Sequence, residues 1–473
     1  MSLSPLRPAF FGLLALGALT ACSDDDPADN GSTAGDPAVG DPSTEIPRDD
    51  DIANAECSVV AQNTWVYDSL QDYYLFYDEV PALEPERFDS PQAVLEAGRF
   101  LERDPFSFLT ETGGNSLAFD QGRSFGLGLE TRFDEQRRVL VSLVEPASPI
   151  GQAGVERGDR IVSIDARDPV EVFGDRAYVR ETLVGTPERP GRSTWVIEPR
   201  GGSTARTIEL EAREFGLRTV PFTSTITHPT IDGTIGYLVF TSFLNTSDQE
   251  LDDAFAFFAE QGVTELVLDL RYNRGGFVRV AASLATRIAG NTLAGSRLYD
   301  YRHNDKYRQK DYTLVFEPVA DSLELSRVAV LTTADTASSS EIVISGLSPY
   351  IEVVTVGSRT GGKPYIQSAN DRCGARLFAV EAEGINAERA SVFGGIEPNC
   401  LADDDLSADF GLNPTGDAVR PEGMLRVALD RLVFGVCPSS SKVAAGLEGR
   451  SGKAADLSTL LYADDRNAYA IPD

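Results

Sequence analysis

Apolar residues recur at helical spacing in two early stretches, "WVYDSLQDYYLFYDEV" and "SPQAVLEAGRFLERD". In the second, Ser90 is placed as an N-cap with Pro91 at the first helical position. Residues 57–113 therefore read as a helical N-terminal domain. From 114 to 214 the pattern changes to short alternating runs, "RRVLVSLV", "RIVSID" and "STWVIEPR", separated by Gly, Asp and Pro. This predicts a small β-rich domain. Over 215–437 strand and helix patterns take turns: "TIGYLVF", "SDQELDDAFAFFAEQ" with Ser247 as its expected N-cap, "ELVLDLR", "FVRVAASLATRIAG", "RVAVLTT", "SSEIVISGL" and "EVVTVG". Such alternation predicts an α/β domain with a largely parallel sheet. The fold class is thus multidomain α+β. Residues 438–473 form a polar tail.

The N-terminus opens "MSLSPLRPAFFGLLALGALTAC". Arg7 precedes an apolar run, Phe10–Leu19, that is too short for a bilayer-spanning helix. Small residues before Cys22 give the pattern of a bacterial lipoprotein signal over 1–21, with lipid expected on Cys22; the bland alternative is an ordinary secretory signal. Residues 22–56 are rich in Asp, Gly, Pro, Ser and Thr, as in a disordered acidic tether. With Ser23 after the cysteine, the expected location is the bacterial cell envelope, anchored by lipid in the outer membrane and facing the periplasm. Contact with the membrane is expected through that lipid alone.

The net charge of −31 argues against nucleic acid as a partner. Hydrophobic content of 42% allows large cores. Four cysteines remain after Cys22, and in an exported protein they suggest two disulfides. Three pairings are open to them; one would join Cys373–Cys400 within the last domain and Cys57–Cys437 at the ends of the folded body. Neither CxxC nor more than two histidines is present, so the chain offers no zinc pattern, and no metal or cofactor is expected.

Three motifs carry chemistry. "DTASSSEI" places three serines at a helix start, and Ser338 with Glu341 also reads as a capping box. A serine nucleophile needs a base. The two histidines, His228 beside a proline and His303 in "YRHNDKYRQK", give no Ser-His-Asp setting. Arginine stays protonated, whereas a buried lysine can act as a base. Only five lysines stand among 42 basic residues, and Lys363 lies in the same domain as Ser338. "LVLDLRYNRGGF" ends a strand in a glycine turn of the kind that presents N–H groups to an oxyanion. Neither a Walker pattern nor a GxGxxG is present to support nucleotide binding.

"FGLGLETRF" followed by "VEPASPIGQAGVERGDRIVSID" resembles a PDZ domain. The resemblance implies that Phe125, Gly126, Leu127, Gly128 and Leu129 form the loop that receives a peptide's C-terminal carboxylate, with an apolar pocket lined by the Phe and the leucines. Together with "YYLFYDEVP", "RDPFSFLT", "GYLVFTSF", "SSSEI" and "GGKPYIQ", the chain resembles the tail-specific, or C-terminal processing, peptidases over most of 57–436. That resemblance implies a crotonase-like α/β catalytic domain, Ser338 as nucleophile, Lys363 as general base and Gln367 as the residue that orients it. It also implies oxyanion donors from the backbone of Gly276 and Ser339, and protein substrates taken by their C-terminal tails. Arg274, Ser339 and Pro364 depart from the family's commoner residues. Two other functions compete on the same sequence: an inactive peptide-binding scaffold and a crotonase-type acyl-CoA enzyme.

Overall fold

The computed structural model describes residues 57–438 except 112–117, 119–120, 135, 229, 232, 407, 409 and 411–421. The leader, Cys22, the acidic tether and the tail from 439 lie outside the described residues. Among the described residues no helix is long and apolar enough to cross a membrane.

Helix α1 (Val59–Asp72) starts where the Ser58 hydroxyl accepts the Ala61 N–H at 3.2 Å. Helix α2 (Pro91–Gly98) starts as its sequence predicts, with Ser90 capping Ala93 N–H at 3.2 Å. A short strand, β1 (Phe108–Glu111), follows. The apolar faces of the helices do not close on themselves. Trp65, Val66, Leu70, Val94 and Leu95 pack with Tyr365, Leu377, Ala379 and Val380, and β1 pairs with residues 375–378. A segment this short cannot bury a core of its own, so the expected helical domain is completed by a hairpin far downstream.

The β-rich segment contains β2 (Arg123–Gly126), β3 (Leu129–Phe133), β4 (Val139–Val144), β5 (Arg160–Ile164), β6 (Arg192–Glu198), β7 (Arg206–Glu211) and β8 (Arg213–Gly216). Strands β3 to β7 form an antiparallel sheet in sequence order, with β3 at one edge, while β2 pairs with β8. Leu127, Leu129, Val141, Ile161, Trp195 and Ile197 fill its core.

The last segment runs β9 (Phe222–Thr227), β10 (Thr234–Val239), α3 (Ser247–Glu260), β11 (Val263–Asp269), α4 (Val278–Ala289), β12 (Arg297–His303), β13 (Tyr312–Val315), β14 (Arg327–Thr332), α5 (Ser339–Leu347), β15 (Glu352–Gly357), β16 (Tyr365–Arg372), β17 (Ala375–Asn386), β18 (Cys400–Leu401) and α6 (Gly423–Phe434). One sheet has the order β9-β10-β11-β14-β15-β18 and is parallel except at β9. Its central strands are buried on both faces. Leu266, Leu268, Val328 and Val330 face the core of α3, α4 and α5, while Val267, Ala329 and Leu331 face α6. A second, antiparallel sheet joins β1, β17, β12 and β13, with β16 hairpinned onto β17; the sequence pattern does not announce it.

Two expectations are corrected. Ser247 is the first residue of α3 rather than its cap. Its hydroxyl accepts Leu244 N–H at 2.9 Å and donates to Ser242 O at 3.1 Å, closing the preceding loop. The disulfides are Cys57–Cys373 and Cys400–Cys437. Cys57 opens α1, which packs on the β16–β17 hairpin whose turn holds Cys373, and β18 brings Cys400 to the residues after α6.

Candidate active site

Strand β14 turns into α5 through residues 333–338, and this turn is held from below. Ala337 N donates to Asn273 O at 3.1 Å, and the Thr336 hydroxyl donates to Leu270 O at 2.8 Å. The three serines then separate. Ser339 and Ser340 are fully buried, and their hydroxyls are spent on Gly276 O (2.7 Å) and Asn273 O (2.8 Å). Ser338 is half-buried and takes φ 56°, a left-handed conformation that costs a serine about 1–3 kcal/mol. Glu341 closes the helix N-terminus by accepting the Ser338 backbone N–H at 3.0 Å.

The glycine turn lies against this serine. A side chain at Gly275 would strike the Ser338 Cβ at 2.8 Å, and one at Gly276 would strike Phe243 O at 2.2 Å. Both glycines have positive φ. The Gly276 and Ser339 backbone N–H groups have no hydrogen-bond partner among the described residues. An oxyanion stabiliser needs donors of this kind.

Lys363 arrives from β15 through Ser358–Gly362. Its own N–H donates at 2.8 Å to the same Glu341 oxygen that holds Ser338 N–H, so the two backbone nitrogens lie within the sum of those two bonds. Gly362 N–H (2.8 Å) and the Thr360 hydroxyl take the other Glu341 oxygen. Burial raises the Glu341 carboxyl above its usual range, and these four donors work against that rise. The Lys363 side chain is 4% exposed. Burial pulls its amine down to about 7, against the opposing charges of Asp104 and Glu341. Its Nζ meets Gln367 Oε1 at 2.5 Å. Gln367 Nε2 donates to Phe106 O (2.8 Å) and Phe378 O (2.9 Å), so its amide can only turn its oxygen to the lysine. Pro364 O accepts Gly384 N–H at 2.8 Å, tying the residue after the lysine to β17.

The structure also brings in residues that the sequence pattern left unassigned: Glu341 as a brace, Thr360, Asp104 and the Phe106 carbonyl. Of these only Glu341 had a local signal, its spacing from Ser338. Asp104 also makes a local turn with Phe106 and Ser107, but its bearing on Lys363, like that of Thr360 and the Phe106 carbonyl, comes through contacts that no spacing reports. Arg274 bonds Asp335 at 2.8 Å, three residues before Ser338, and Arg132 on β3 pairs with the same carboxylate.

In the β-rich segment Phe125 to Leu129 run together past the 145–150 turn, where Leu127 O accepts Ile150 N–H at 3.2 Å and Gly128 O accepts Glu145 N–H at 2.9 Å. The expected apolar pocket is corrected. Leu127 and Leu129 are fully buried in the sheet's core, and Phe125 alone of the three lines a cavity, of about 660 Å³, with Pro149, Ala153, Pro190 and Leu210. Packing beneath an antiparallel sheet consumes the leucines.

Comparison with known proteins agrees over most of the described chain. Residues 234–400 match Peptidase family S41, and residues 61–108 match the Peptidase S41 N-terminal domain. The chain is 27% identical over 345 residues to the chloroplastic C-terminal processing peptidase of Tetradesmus obliquus, covering 70% of this chain and 67% of that one. It is 22% identical over 365 residues to a CtpA-like serine protease of Staphylococcus aureus (strain N315), covering 74% and 68%. A crystal structure of an S41 protease from Bacteroides fragilis NCTC 9343 superposes with a TM-score of 0.62 at 25% identity, over 79% of this chain and 97% of the other.

Proposed function

We propose that this chain, which belongs to peptidase family S41, the tail-specific and C-terminal processing serine peptidases, cleaves polypeptides through a Ser338/Lys363 dyad. The observation that carries the reading is the buried Lys363, held by Gln367 and drawn down to about 7 by desolvation. An amine with that ionisation can be neutral at working pH and accept a proton. In the reaction Ser338 Oγ attacks the scissile carbonyl carbon while its proton passes to Lys363 Nζ. The resulting oxyanion is met by the Gly276 and Ser339 N–H groups. The C–N bond breaks, the leaving amine takes the proton from Lys363, and an acyl-Ser338 ester remains. Water then attacks that ester with Lys363 again as base, releasing the acid and restoring the serine.

The finer reading is that the catalytic segment is crotonase-like and the β-rich segment a PDZ-type module that takes substrate C-termini. Strand β3 supports this, since it stands at a sheet edge to which a peptide strand can add. Near its far end Arg132 reaches Asp335, beside the nucleophile turn, so a tail laid along β3 leads toward Ser338. A lipid on Cys22 would hold the enzyme in the bacterial envelope, and an acyl mass on that residue in the purified protein is the check.

The main test is cleavage of an unfolded protein with a free apolar C-terminus. Wild type should cut it, with a rate that rises through about pH 7 as Lys363 loses its proton. Ser338→Ala and Lys363→Arg should be inactive although folded, and amidating the substrate's C-terminus should weaken its capture. Near-wild-type proteolysis by either variant sinks the dyad.

A further inference from the structure

We propose that Asp104 is a positioning residue for the Lys363 base: it builds the turn whose Phe106 carbonyl holds Gln367, and it sets a buried negative charge against the lysine. The inference rests on the Ser/Lys reading of the site and deepens it, because it makes the helical N-terminal segment a working part of the catalytic machinery.

Asp104 is fully buried. Its Oδ1 accepts the Phe106 N–H at 2.9 Å and the Ser107 N–H at 2.8 Å, which folds 104–107 into a tight turn. Its Oδ2 accepts the Tyr74 hydroxyl at 2.8 Å, and the Tyr74 hydroxyl oxygen in turn accepts Phe100 N–H at 3.0 Å. The Ser107 hydroxyl takes Val380 N–H at 3.0 Å, stitching the turn to β17. The product of this bracing is one carbonyl, Phe106 O, aimed at Gln367 Nε2. Remove the turn and Gln367 loses one of the two acceptors that fix its amide, and with it the orientation of Lys363 Nζ.

The charge of Asp104 has a separate effect. Two charged groups act on the lysine, Asp104 from the turn and Glu341 from α5, and the Arg103–Glu383 pair stands by Tyr365, two residues after it. Arg99 acts on Tyr74, the hydroxyl that donates to Asp104. Glu341 shares its charge among four donors and Asp104 among three, and Asp104 heads the charges that oppose desolvation of the amine. The chemistry needs that opposition. The lysine must be neutral to take the serine proton, yet it must hold the proton long enough to deliver it to the leaving amine. A fully desolvated amine with no anion near it would be a poor proton carrier.

The test is the pH dependence of kcat/KM for the full chain on an unstructured polypeptide. Asp104→Asn keeps an oxygen for the Phe106 and Ser107 N–H groups and removes the charge, so the ascending limb should move about one pH unit lower. Asp104→Glu keeps the charge, so the limb should stay in place while kcat falls. Asp104→Ala loses turn and charge, so kcat should fall about 10–100-fold with KM little changed. Should the Asn variant fail to fold, Tyr74→Phe, which strips one donor from the carboxylate, should move the limb to higher pH. A limb that stays fixed in Asp104→Asn, or in Tyr74→Phe where that stands in for it, overturns the role of Asp104. The two levels of failure are separable. If cleavage survives Lys363→Arg, the dyad reading fails and this role with it. If Lys363→Arg abolishes cleavage but the Asp104 variants leave the limb unmoved, only Asp104 loses its part.

Discussion

Lys363 is held in a place that suits a neutral amine, and the fold gives up stability to hold it there. The amine titrates near 7 in the native state against 10.5 in an unfolded chain. Between those values the unfolded chain binds a proton that the native state does not. Stability should therefore fall as pH drops from about 10 to about 7, by up to about 1.4 kcal/mol per unit, and level off below. Lys363→Met removes this linkage and keeps the volume. It should be the more stable protein near neutrality by a few kcal/mol, converging on wild type toward about pH 10. Urea midpoints of both proteins across that range measure it, and a gap of constant size would show that the lysine carries no such burden. On the sequence, elimination pointed to a lysine as base, since the two histidines are ill-placed, arginines cannot deprotonate and lysines are few, whereas Ser338 as nucleophile and Gln367 as the orienting residue were implied only by the family resemblance. The division of labour among the serines was not legible. Which hydroxyl is spent on a carbonyl depends on the 273–276 turn, which is remote in sequence. The part of Asp104 beyond its local turn with Phe106 and Ser107 was not legible for the same reason, since it runs through a tyrosine thirty residues earlier and a lysine much farther on.

The parallel strands and their helices followed directly from runs of apolar residues bounded by turns, and the structure keeps them nearly as spaced. The antiparallel sheet did not follow. Strands β16 and β17 are half polar, and what orders them is the helical segment laid across one face. The misassigned disulfides have the same origin. Pairing by sequence neighbourhood joined Cys373 to Cys400, whereas the hairpin turn carrying Cys373 sits at the start of α1. That bridge is placed to matter for catalysis, because it clamps the element bearing Gln367 to the segment bearing Phe106. Removing it as Cys57→Ser/Cys373→Ser should cost about 2–4 kcal/mol and lower kcat. The Cys400–Cys437 bridge closes a shorter loop, and its removal as Cys400→Ser/Cys437→Ser should cost comparable stability with kcat retained. Thermal unfolding and initial rates, measured together on both double variants, decide this. Equal losses of kcat would remove the link between the first bridge and the base.

At the scale of the whole molecule, the β-rich segment is joined to the catalytic segment by a buried charge network as well as by a small apolar cluster of Phe215, Leu217 and Leu244. Arg157, which is 4% exposed, reaches Ser142 O at 2.8 Å and Asp404 at 2.6 Å, touches the Tyr272 hydroxyl, and stacks on Phe410. Arg271 meets Asp269, Asp404 and Glu422, and Glu422 caps α6. Burial alone would raise the Asp404 carboxyl, but the two guanidiniums hold it well below the usual carboxylate range. Such a network contributes little net energy when complete, yet losing one member strands a charge away from water. Arg157→Ala should therefore cost about 3–5 kcal/mol, far more than removal of an exposed arginine such as Arg180. The loss should also be local. Trp195 lies in the core of the β-rich segment, and Trp65, in α1, is the other tryptophan of the chain. With Trp65→Phe as background, fluorescence reports the β-rich segment alone while far-UV circular dichroism reports the whole. The two melts should coincide with Arg157 present. Without it, the Trp195 signal should move first, because the segment keeps its own core but has lost its tether to the turn before Gly275 and Gly276. Coincident melts and an unchanged midpoint in Arg157→Ala would show that some other contact couples the β-rich segment to the active site.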